Sequence, residues 1–438
     1  GITIKSHPIQ IHYQHNDGKS YILNLIDTPG HVDFSYEVSR SLAACEGALL
    51  LVDAAQGVEA QTVSNTYLAI EGNLNIVPII NKVDLPSAQI EKVTQQLIEL
   101  IGCDENDIIL ASAKDGIGTQ DIFNAIINRI PAPQQNSNVP TRALIFDSTY
   151  NNYRGAIPYV RVVDGVLKPG STAMFFGHNH EYEITEVGHF VLKMIKAKEL
   201  RSGDVGYVIA NIRDLAHILP GDTLTVKPNQ AEEPLPGFKL IKPMVFSGLY
   251  PSNSDDYNQL RKALDKLKLN DASLIYEPET SEALGFGFRC GFLGLLHMEI
   301  IQERLEREFE VNLVTTTPNA RYLVVQKNGQ EVEVDTPAKM PPSSDIQDIQ
   351  EPYMASEIIT PVEYIGNIMK LCQSIRGIYI NTDYLTKDKA QLHYDLPMAE
   401  IIFDFYDKLK SATRGYASFD YTLADYRQGD LKKLDISL

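Results

Sequence analysis

The chain has 438 residues, a formal net charge of −18 at pH 7 and an apolar fraction of 44%. This length suits about three to four domains, and the apolar fraction is typical of a packed soluble protein. The acidic balance argues against simple electrostatic adhesion to nucleic acid, so an RNA-rich partner would need local basic patches. The four cysteines are scattered without metal-ligand spacing, and no apolar run is long enough to span a bilayer. These features predict reduced thiols and a cytosol-like compartment.

The chain opens with a predicted β-hairpin. Residues 9–13 alternate between apolar and polar, Asn16-Asp17-Gly18 is typical of a tight turn, and residues 21–26 return as a buried strand. Gly18-Lys19-Ser20 is similar to the end of a phosphate-binding loop. We reject that interpretation because Tyr13 stands where such a loop needs glycine, and a strand follows where it needs a helix.

A polar loop, Asp27-Thr28-Pro29-Gly30-His31, follows the second strand of the hairpin. Pro29 and Gly30 force a sharp turn, and a segment with helical spacing comes next. A carboxylate, a flexible glycine and an imidazole therefore lie at a strand end, which is where an open α/β sheet binds its ligand. Taken alone, such a loop is more often an ordinary turn, so its meaning depends on the loops that follow.

Two further apolar strands end in polar loops of the same kind. Residues 76–80 are followed by Asn81-Lys82-Val83-Asp84, and residues 108–110 are followed by Ser112-Ala113-Lys114. The spacing leaves room for a crossover helix each time, so we expect a mostly parallel sheet with helices on both faces. Three polar loops in this order, at three strand ends, are the guanine-nucleotide set of a GTPase.

After this first domain, the predicted pattern of strands and helices changes twice. Short alternating strands with glycine-containing turns follow a linker rich in Pro, Gln and Asn, and they predict an antiparallel β-barrel. Two segments then share the order strand-helix-strand-strand-helix-strand, which predicts two ferredoxin-like α+β domains. The predicted domains are an α/β domain of the P-loop GTPase type at 1–131, the β-barrel at 140–228, and the ferredoxin-like domains at 243–328 and 350–438.

The second and third loops contain groups that match the hydrogen-bonding pattern of guanine. Its edge presents two donors, N1–H and N2–H₂, which one ionised carboxylate can accept, and Asp84 is the candidate. Asn81 can hold the loop together and reach N7, and the stem of Lys82 can lie on the base. The backbone N–H in the middle of Ser112-Ala113-Lys114 can meet O6. The alternative is a solvated turn before Pro86, which is about as common for such a sequence.

The first loop carries the groups that phosphates require. Asp27 can hold Mg²⁺ through water, because Mg²⁺ keeps much of its hydration shell in proteins. The N–H of Gly30 can bond a γ-phosphate oxygen, and the missing side chain allows close approach. His31 can orient or polarise the water that attacks the γ-phosphate. A single loop histidine is usually structural, but the position directly after Gly30 favours catalysis.

Other conspicuous residues favour structural interpretations. The glycines of residues 285–294 are expected to let elements pack closely, in preference to forming a ligand site. Arg289 could contact RNA, but a solvated or paired arginine is favoured. Asp53 is expected to cap and tether backbone, with no part in catalysis.

Several motifs together resemble those of the translational GTPases: Gly1-Ile2-Thr3-Ile4 resembles switch I, Asp27-Thr28-Pro29-Gly30-His31 resembles switch II, and Asn81-Lys82-Val83-Asp84 and Ser112-Ala113-Lys114 resemble the guanine motifs. Two α+β units after a barrel are similar to the elongation factor G branch. Within that branch, three stretches resemble the LepA family, also called elongation factor 4: residues 34–47, 285–299 and 411–419.

This resemblance implies a ribosome-dependent GTPase of translation elongation that hydrolyses GTP to GDP and phosphate and moves tRNAs backward or remodels stalled ribosomes. It implies Mg²⁺ served by Thr3 and Asp27, Ile2 as half of a hydrophobic gate over the water, and His31 as the catalytic residue. The implied partners are the ribosome, through its rRNA and proteins, and tRNA, without DNA. A monomer is expected in the cytosol, with some association with the inner face of the cell membrane and no integral membrane segment.

The chain is also predicted to be a fragment. The family's P-loop would precede Gly1 and its basic C-terminal domain would follow Leu438, so the truncated chain alone is expected to bind GTP weakly and to be inactive. Two alternatives stay open. One is a non-catalytic ribosome-binding fragment, and the other is a related translational GTPase such as a ribosome-protection factor.

Overall fold

The computed structural model describes residues 6–151, 153–177, 180–213, 218–236, 243–271, 273–281, 283–336, 339–402, 404–429 and 431–432. The predicted site residues Ile2 and Thr3 lie outside these ranges. According to the sheets they contain, residues 6–131, 141–236, 243–320 and 322–432 are called the first, second, third and last units.

The first unit combines a β-hairpin with a small parallel sheet. Its elements are β1 (His7–Gln14), β2 (Ser20–Asp27), α1 (Ser35–Leu42), β3 (Gly47–Asp53), α2 (Ala60–Glu71), β4 (Asn75–Asn81), α3 (Ile90–Ile101), β5 (Ile109–Leu110) and α4 (Thr119–Arg129). Strands β3, β4 and β5 pair in parallel in that order. Adjacent residues of a strand point to opposite faces. Ile80 accordingly packs in a cluster with Leu97 of α3, and Ile79 in another with Ala125 of α4, so helices cover both faces as expected.

The hairpin stands apart from the parallel sheet in the described part of the chain. Strand β2 pairs only with β1 there, in antiparallel register with His7 opposite Asp27. The predicted burial of this strand is wrong, because β2 is only partly covered and Ile22 is 55% exposed. Gly18-Lys19-Ser20 lies at the hairpin turn, where the Asp17 carboxylate accepts a backbone N–H at 2.9 Å. The rejection of a phosphate-binding loop at this point is therefore correct.

The second unit is built on an antiparallel sheet of short strands, as expected from the sequence, and most of its buried apolar residues form one cluster. Its strands are β6 (Arg142–Asn151), β7 (Gly155–Asp164), β8 (Val166–Leu167), β9 (Thr172–Phe175), β10 (Glu181–Glu183), β11 (Glu186–Phe190), β12 (Met194–Ala197), β13 (Leu200–Arg201), β14 (Val205–Ile209) and β15 (Thr223–Lys227). Eight of the described strands follow the order β10-β9-β15-β6-β7-β14-β11-β12. Arg161 is only 8% exposed and forms an ion pair with Glu46 of the first unit, which joins the two units.

The third unit has the predicted order of strands and helices. Its elements are β16 (Val245–Pro251), α5 (Tyr257–Asn270), β17 (Ile275–Ser281), β18 (Gly285–Phe292), α6 (Leu295–Phe309), β19 (Leu313–Thr315) and β20 (Asn319–Ala320). The sheet order β17-β18-β16-β19 is that of a split βαβ unit.

The last unit repeats this plan with an added hairpin. Its elements are β21 (Tyr322–Gln326), β22 (Glu331–Val334), β23 (Ile346–Pro361), α7 (Ile365–Ser374), β24 (Ile378–Tyr384), β25 (Lys389–Pro397), α8 (Met398–Ile401), α9 (Phe405–Ala412) and β26 (Ser418–Gln428). Strand β23 is central, with β25 and β26 as antiparallel neighbours. The hairpin β21–β22 extends this sheet through β23, so the predicted limits at 328 and 350 fall inside one continuous sheet.

The glycine-rich segment before α6 serves packing, in agreement with the sequence. A Cβ on Gly287 would lie 2.4 Å from Cδ1 of Tyr250, and one on Gly291 would lie 2.8 Å from Phe246. Arg289 is 7% exposed and donates to the side chain of Asn319, which confirms that it is a paired arginine.

Lys389 begins β25 and reaches from the last unit into the first. Its Nζ donates to the carbonyl oxygens of Gln56 at 2.9 Å and Val58 at 3.0 Å, in the loop before α2. Ile359 of β23 joins the buried cluster between the parallel sheet and α2 and α3. These contacts hold the last unit against the first.

We expect Lys389 to make the free energy of unfolding rise with pH in alkaline solution. Burial lowers the pKa of Lys389 from 10.5 to about 8. Between these values the unfolded chain binds a proton that the folded chain has released, so stability increases with pH, by at most about 3 kcal/mol.

The measurement is the denaturant midpoint as a function of pH for the wild type and for Lys389→Met. The difference in midpoint between wild type and Lys389→Met should change between pH 8 and 10.5. The difference between wild type and Lys387→Met, which removes an exposed lysine nearby, should stay constant over this range. Parallel curves for wild type and Lys389→Met would contradict the expectation.

Candidate functional site

The second and third polar loops lie side by side. Parallel pairing of β4 with β5 brings the carboxyl ends of these strands to one edge of the sheet. Asn81, the last residue of β4, accepts the backbone N–H of Ala113 on its Oδ1 at 3.1 Å. The N–H of Val83 donates to the carbonyl of Ala111 at 3.2 Å. The structure therefore brings together the two loops that the sequence assigned to guanine.

Lys82 is held in an unusual backbone conformation between these loops and β3. Its φ of 64° lies in the left-handed region, and its Nζ lies 2.7 Å from Oδ2 of Asp53, the last residue of β3. The other oxygen of Asp53 accepts the N–H of Ala55 at 2.7 Å. Burial acts to raise the pKa of Asp53, but the bonds from Lys82 and the backbone hold that pKa below its usual range. Asp53 thus caps the backbone after β3 and tethers Lys82, as expected.

The Asp84 carboxylate forms no hydrogen bond or ion pair with the residues that the structure describes, although the side chain is half-buried. Both oxygens of this carboxylate can therefore accept hydrogen bonds from a ligand without first breaking a bond to a described residue. Ser112 is fully buried and its Oγ accepts the N–H of Asp115 at 3.2 Å, which fixes the third loop from inside. Lys114 is exposed.

One predicted donor is engaged within the protein. The N–H of Ala113, expected to meet guanine O6, donates to Asn81 in this structure. A contact from Ala113 to the base would require Asn81 to share or release this N–H.

The first loop leaves room for a ligand at its glycine. Asp27 and Gly30 are both exposed, and the nearest neighbour of a Cβ on Gly30 would be Oε1 of Gln61 at 3.8 Å. A phosphate oxygen can therefore approach this backbone closely.

The ring of His31 is oriented by its own loop. Its Nδ1 accepts the backbone N–H of Asp33 at 3.2 Å, and the side chain is 28% exposed. A ring nitrogen that accepts a hydrogen bond carries no proton, so in this orientation neutral His31 has its proton on Nε2. Phe34 packs near the ring, with centroids 6.5 Å apart.

Sequence reasoning missed Asp33, which follows this loop. It is 6% exposed, and its carboxylate accepts from two other units: from the backbone N–H of His297 and from the hydroxyl of Tyr421, each at 3.2 Å. The available signal was a charged residue between Val32 and Phe34, where burial would require partners.

Comparison with known families covers almost the whole chain. Family models match the Elongation factor Tu GTP binding domain at residues 1–132, Elongation factor Tu domain 2 at 155–225, Elongation Factor G domain III at 240–317 and the Elongation factor G C-terminus at 348–437. A solved structure from Thermus thermophilus aligns with a TM-score of 0.65 over 98% of this chain and 90% of that protein. At 17% identity, this alignment shows a shared fold. These domains define a translational GTPase.

Two relatives identify the family within the translational GTPases. Elongation factor 4 from Chlorobium phaeobacteroides and that from Chlorobaculum tepidum are each 58% identical over 438 residues, which is 100% of this chain and 72% of each relative. The chain belongs to the elongation factor 4 family, which confirms the resemblance found in the sequence. Among the described residues, no helix combines the length and apolarity needed to cross a membrane.

Proposed function

We propose that this GTPase of translation acts with His31 as its catalytic residue, and that hydrolysis on the ribosome moves tRNAs backward or remodels stalled ribosomes. The observation that carries the proposal is the pair of predicted guanine loops joined by Asn81, in one of which the Asp84 carboxylate has no partner among the described residues. Identity of 58% along the whole chain favours this function over a non-catalytic module or a related ribosome-protection factor.

The proposed guanine site lies between the two loops. Asp84 accepts N1–H and N2–H₂ of the base, a charge-assisted pair of bonds. Asn81 reaches N7 through its amide NH₂, since its Oδ1 is already engaged. Lys82 lays its stem on the base while its Nζ stays with Asp53. The backbone N–H of Ala113 approaches O6 once Asn81 shares or releases it.

The proposed phosphate site is built on the first loop. The exposed carboxylate of Asp27 suits Mg²⁺, which takes one or two carboxylates and completes its shell with water and phosphate oxygens. In the described ranges, no three His, Cys, Asp or Glu side chains are grouped so that they could hold a metal ion. We propose that Asp27 and Thr3 hold Mg²⁺ beside the phosphates, whose charge the ion would neutralise. The N–H of Gly30 bonds the γ-phosphate.

His31 is proposed to orient the attacking water. With Nδ1 held by the Asp33 N–H, the neutral ring keeps its proton on Nε2, and the side chain is 28% exposed and therefore accessible to water. Positioning of the water supplies most of the catalysis in such reactions. Ile2 is proposed as half of a hydrophobic gate over this water.

The ribosome and tRNA are the proposed partners, supported by the matches to elongation factor G domains in the third and last units. Sedimentation with ribosomes tests this proposal in the full-length gene product. More protein should pellet with ribosomes in the presence of a non-hydrolysable GTP analogue than with GDP, and an ATP analogue should have no effect. Equal pelleting with GTP analogue and GDP would contradict nucleotide-controlled ribosome binding.

A further inference from the structure

Asp33 caps a helix that belongs to another unit. Helix α6 begins after Gly294, whose position at the N-cap provides no side chain to accept the free N–H groups of the first turn. Oδ2 of Asp33 accepts one of them, the N–H of His297, at 3.2 Å. The negative carboxylate also lies at the favourable end of the dipole of this 15-residue helix. Asp33 therefore supplies the third unit with the cap that its own sequence lacks.

The third unit is shaped to receive this carboxylate. A Cβ at position 294 would lie 2.1 Å from Oδ1 of Asp33, so any side chain there would displace it. The ring of His297 is fixed on both sides, because Nδ1 accepts the Leu293 N–H at 3.0 Å and Nε2 lies 2.8 Å from Oδ2 of Asp271. The helix start that binds Asp33 is thus held in one position.

The last unit provides the second contact to Asp33. The hydroxyl of Tyr421 in β26 donates to Oδ1 of Asp33 at 3.2 Å. Burial and the Asp33 carboxylate raise the pKa of Tyr421 well above its usual range, so the hydroxyl keeps its proton and remains a donor.

Strand β26 is attached to α2 of the first unit beside this contact. Oγ of Ser418 accepts the N–H of Ala60 at 2.8 Å, at the start of α2. The carboxylate of Asp420 accepts the hydroxyl of Ser64, one helical turn further along. Tyr421 is therefore presented to Asp33 by a strand that is docked along a helix.

We infer that Tyr421 is a positioning residue for His31: its hydroxyl fixes Asp33, and the backbone N–H of Asp33 fixes the imidazole, so that the rate of hydrolysis depends on this one contact from the last unit. The inference rests on the proposed catalytic role of His31. The two bonds are consecutive, from Tyr421 Oη to Asp33 Oδ1 and from Asp33 N–H to His31 Nδ1. A displacement of a reacting group by about 1 Å can lower a rate by about 100-fold, so one lost bond in this chain has a measurable effect.

The test compares Tyr421→Phe with Ser418→Ala in the full-length gene product. Tyr421→Phe keeps the ring and removes the bond to Asp33, so kcat for ribosome-stimulated hydrolysis should fall by about tenfold while KM and affinity for GTP stay unchanged. Ser418→Ala removes a bond between the same strand and α2 without touching Asp33, and its kcat should stay within about twofold of wild type. Gly294→Ala displaces Asp33 from the opposite side and should reproduce the loss in kcat.

Each other outcome has a separate meaning. If Tyr421→Phe keeps wild-type kcat while His31→Ala is inactive, the inference is overturned and the catalytic role of His31 stands. Equal losses in Tyr421→Phe and Ser418→Ala would also overturn it, since they would indicate general loosening of the interface. An active His31→Ala would overturn the proposed function itself.

Discussion

Replacing His31 with alanine is expected to abolish ribosome-stimulated GTP hydrolysis while leaving nucleotide affinity unchanged. The side chain is part of the loop that contains Gly30, and the base is proposed to bind at Asp84, on a different strand end. A group that acts only in the transition state lowers kcat without weakening binding. A positioned acid–base or water-orienting side chain contributes about 10²- to 10⁴-fold to the rate, and we expect a loss in this range.

Stimulated turnover of the full-length His31→Ala protein, with GTP and GDP affinities measured in parallel, provides the test. The matched control is His15→Ala, which removes a histidine at the hairpin turn of the same unit, where its ring bonds Asn124 of α4. That variant should hydrolyse GTP normally. Turnover near wild type in His31→Ala would reject the catalytic role.

Exchanging Asp84 for asparagine should move the base preference from guanine toward xanthine. The proposed carboxylate accepts N1–H and N2–H₂ of guanine, whereas asparagine presents one acceptor and one donor. Its NH₂ would face the N2–H₂ of guanine and leave two donors opposed. Such a mismatch costs on the order of several kcal/mol, because a site built to bond one group discriminates strongly against the wrong one. Xanthine carries a carbonyl at that position and restores the pair.

Competition between GTP and xanthosine triphosphate measures this preference in wild type and variant. Asp115→Asn, an exposed aspartate in the neighbouring loop, is the control and should keep the preference for guanine. If Asp84 is only a turn residue before Pro86, the exchange alters stability alone. An unchanged ratio of the two affinities would show that Asp84 does not contact the base.

Local sequence patterns were sufficient to place the guanine loops. Apolar strands, crossover helices and polar strand ends together predict that the loops at Asn81 and Ser112 lie at one edge of a parallel sheet, which the structure shows. The repeated order of strands and helices also predicted both α+β units. These features depend on contacts between segments that are close in the chain or on a well-known crossover rule.

The contacts of Asp33 could not be derived in this way. It is separated from Tyr421 by 388 positions, and neither residue stands out by local periodicity. The exposure of Ile22 depends in the same way on which strands pair, because an apolar run predicts a strand without specifying its cover. The hairpin at residues 322–334 shows the same limit: the predicted domain limit at 328 falls inside it, because its pairing with β23 is set by tertiary packing.

The most direct test of the account is the rate of GTP hydrolysis by the full-length gene product with and without ribosomes, with ATP as the parallel substrate. The bond between Asn81 and Ala113 predicts guanine selectivity, as does the Asp84 carboxylate, which has no partner among the described residues, so GTP should be hydrolysed and ATP should not. Ribosomes should accelerate the hydrolysis of GTP by at least about 100-fold if they complete the positioning of His31 and its water. A rate that ribosomes leave unchanged, or equal hydrolysis of ATP, would contradict the account.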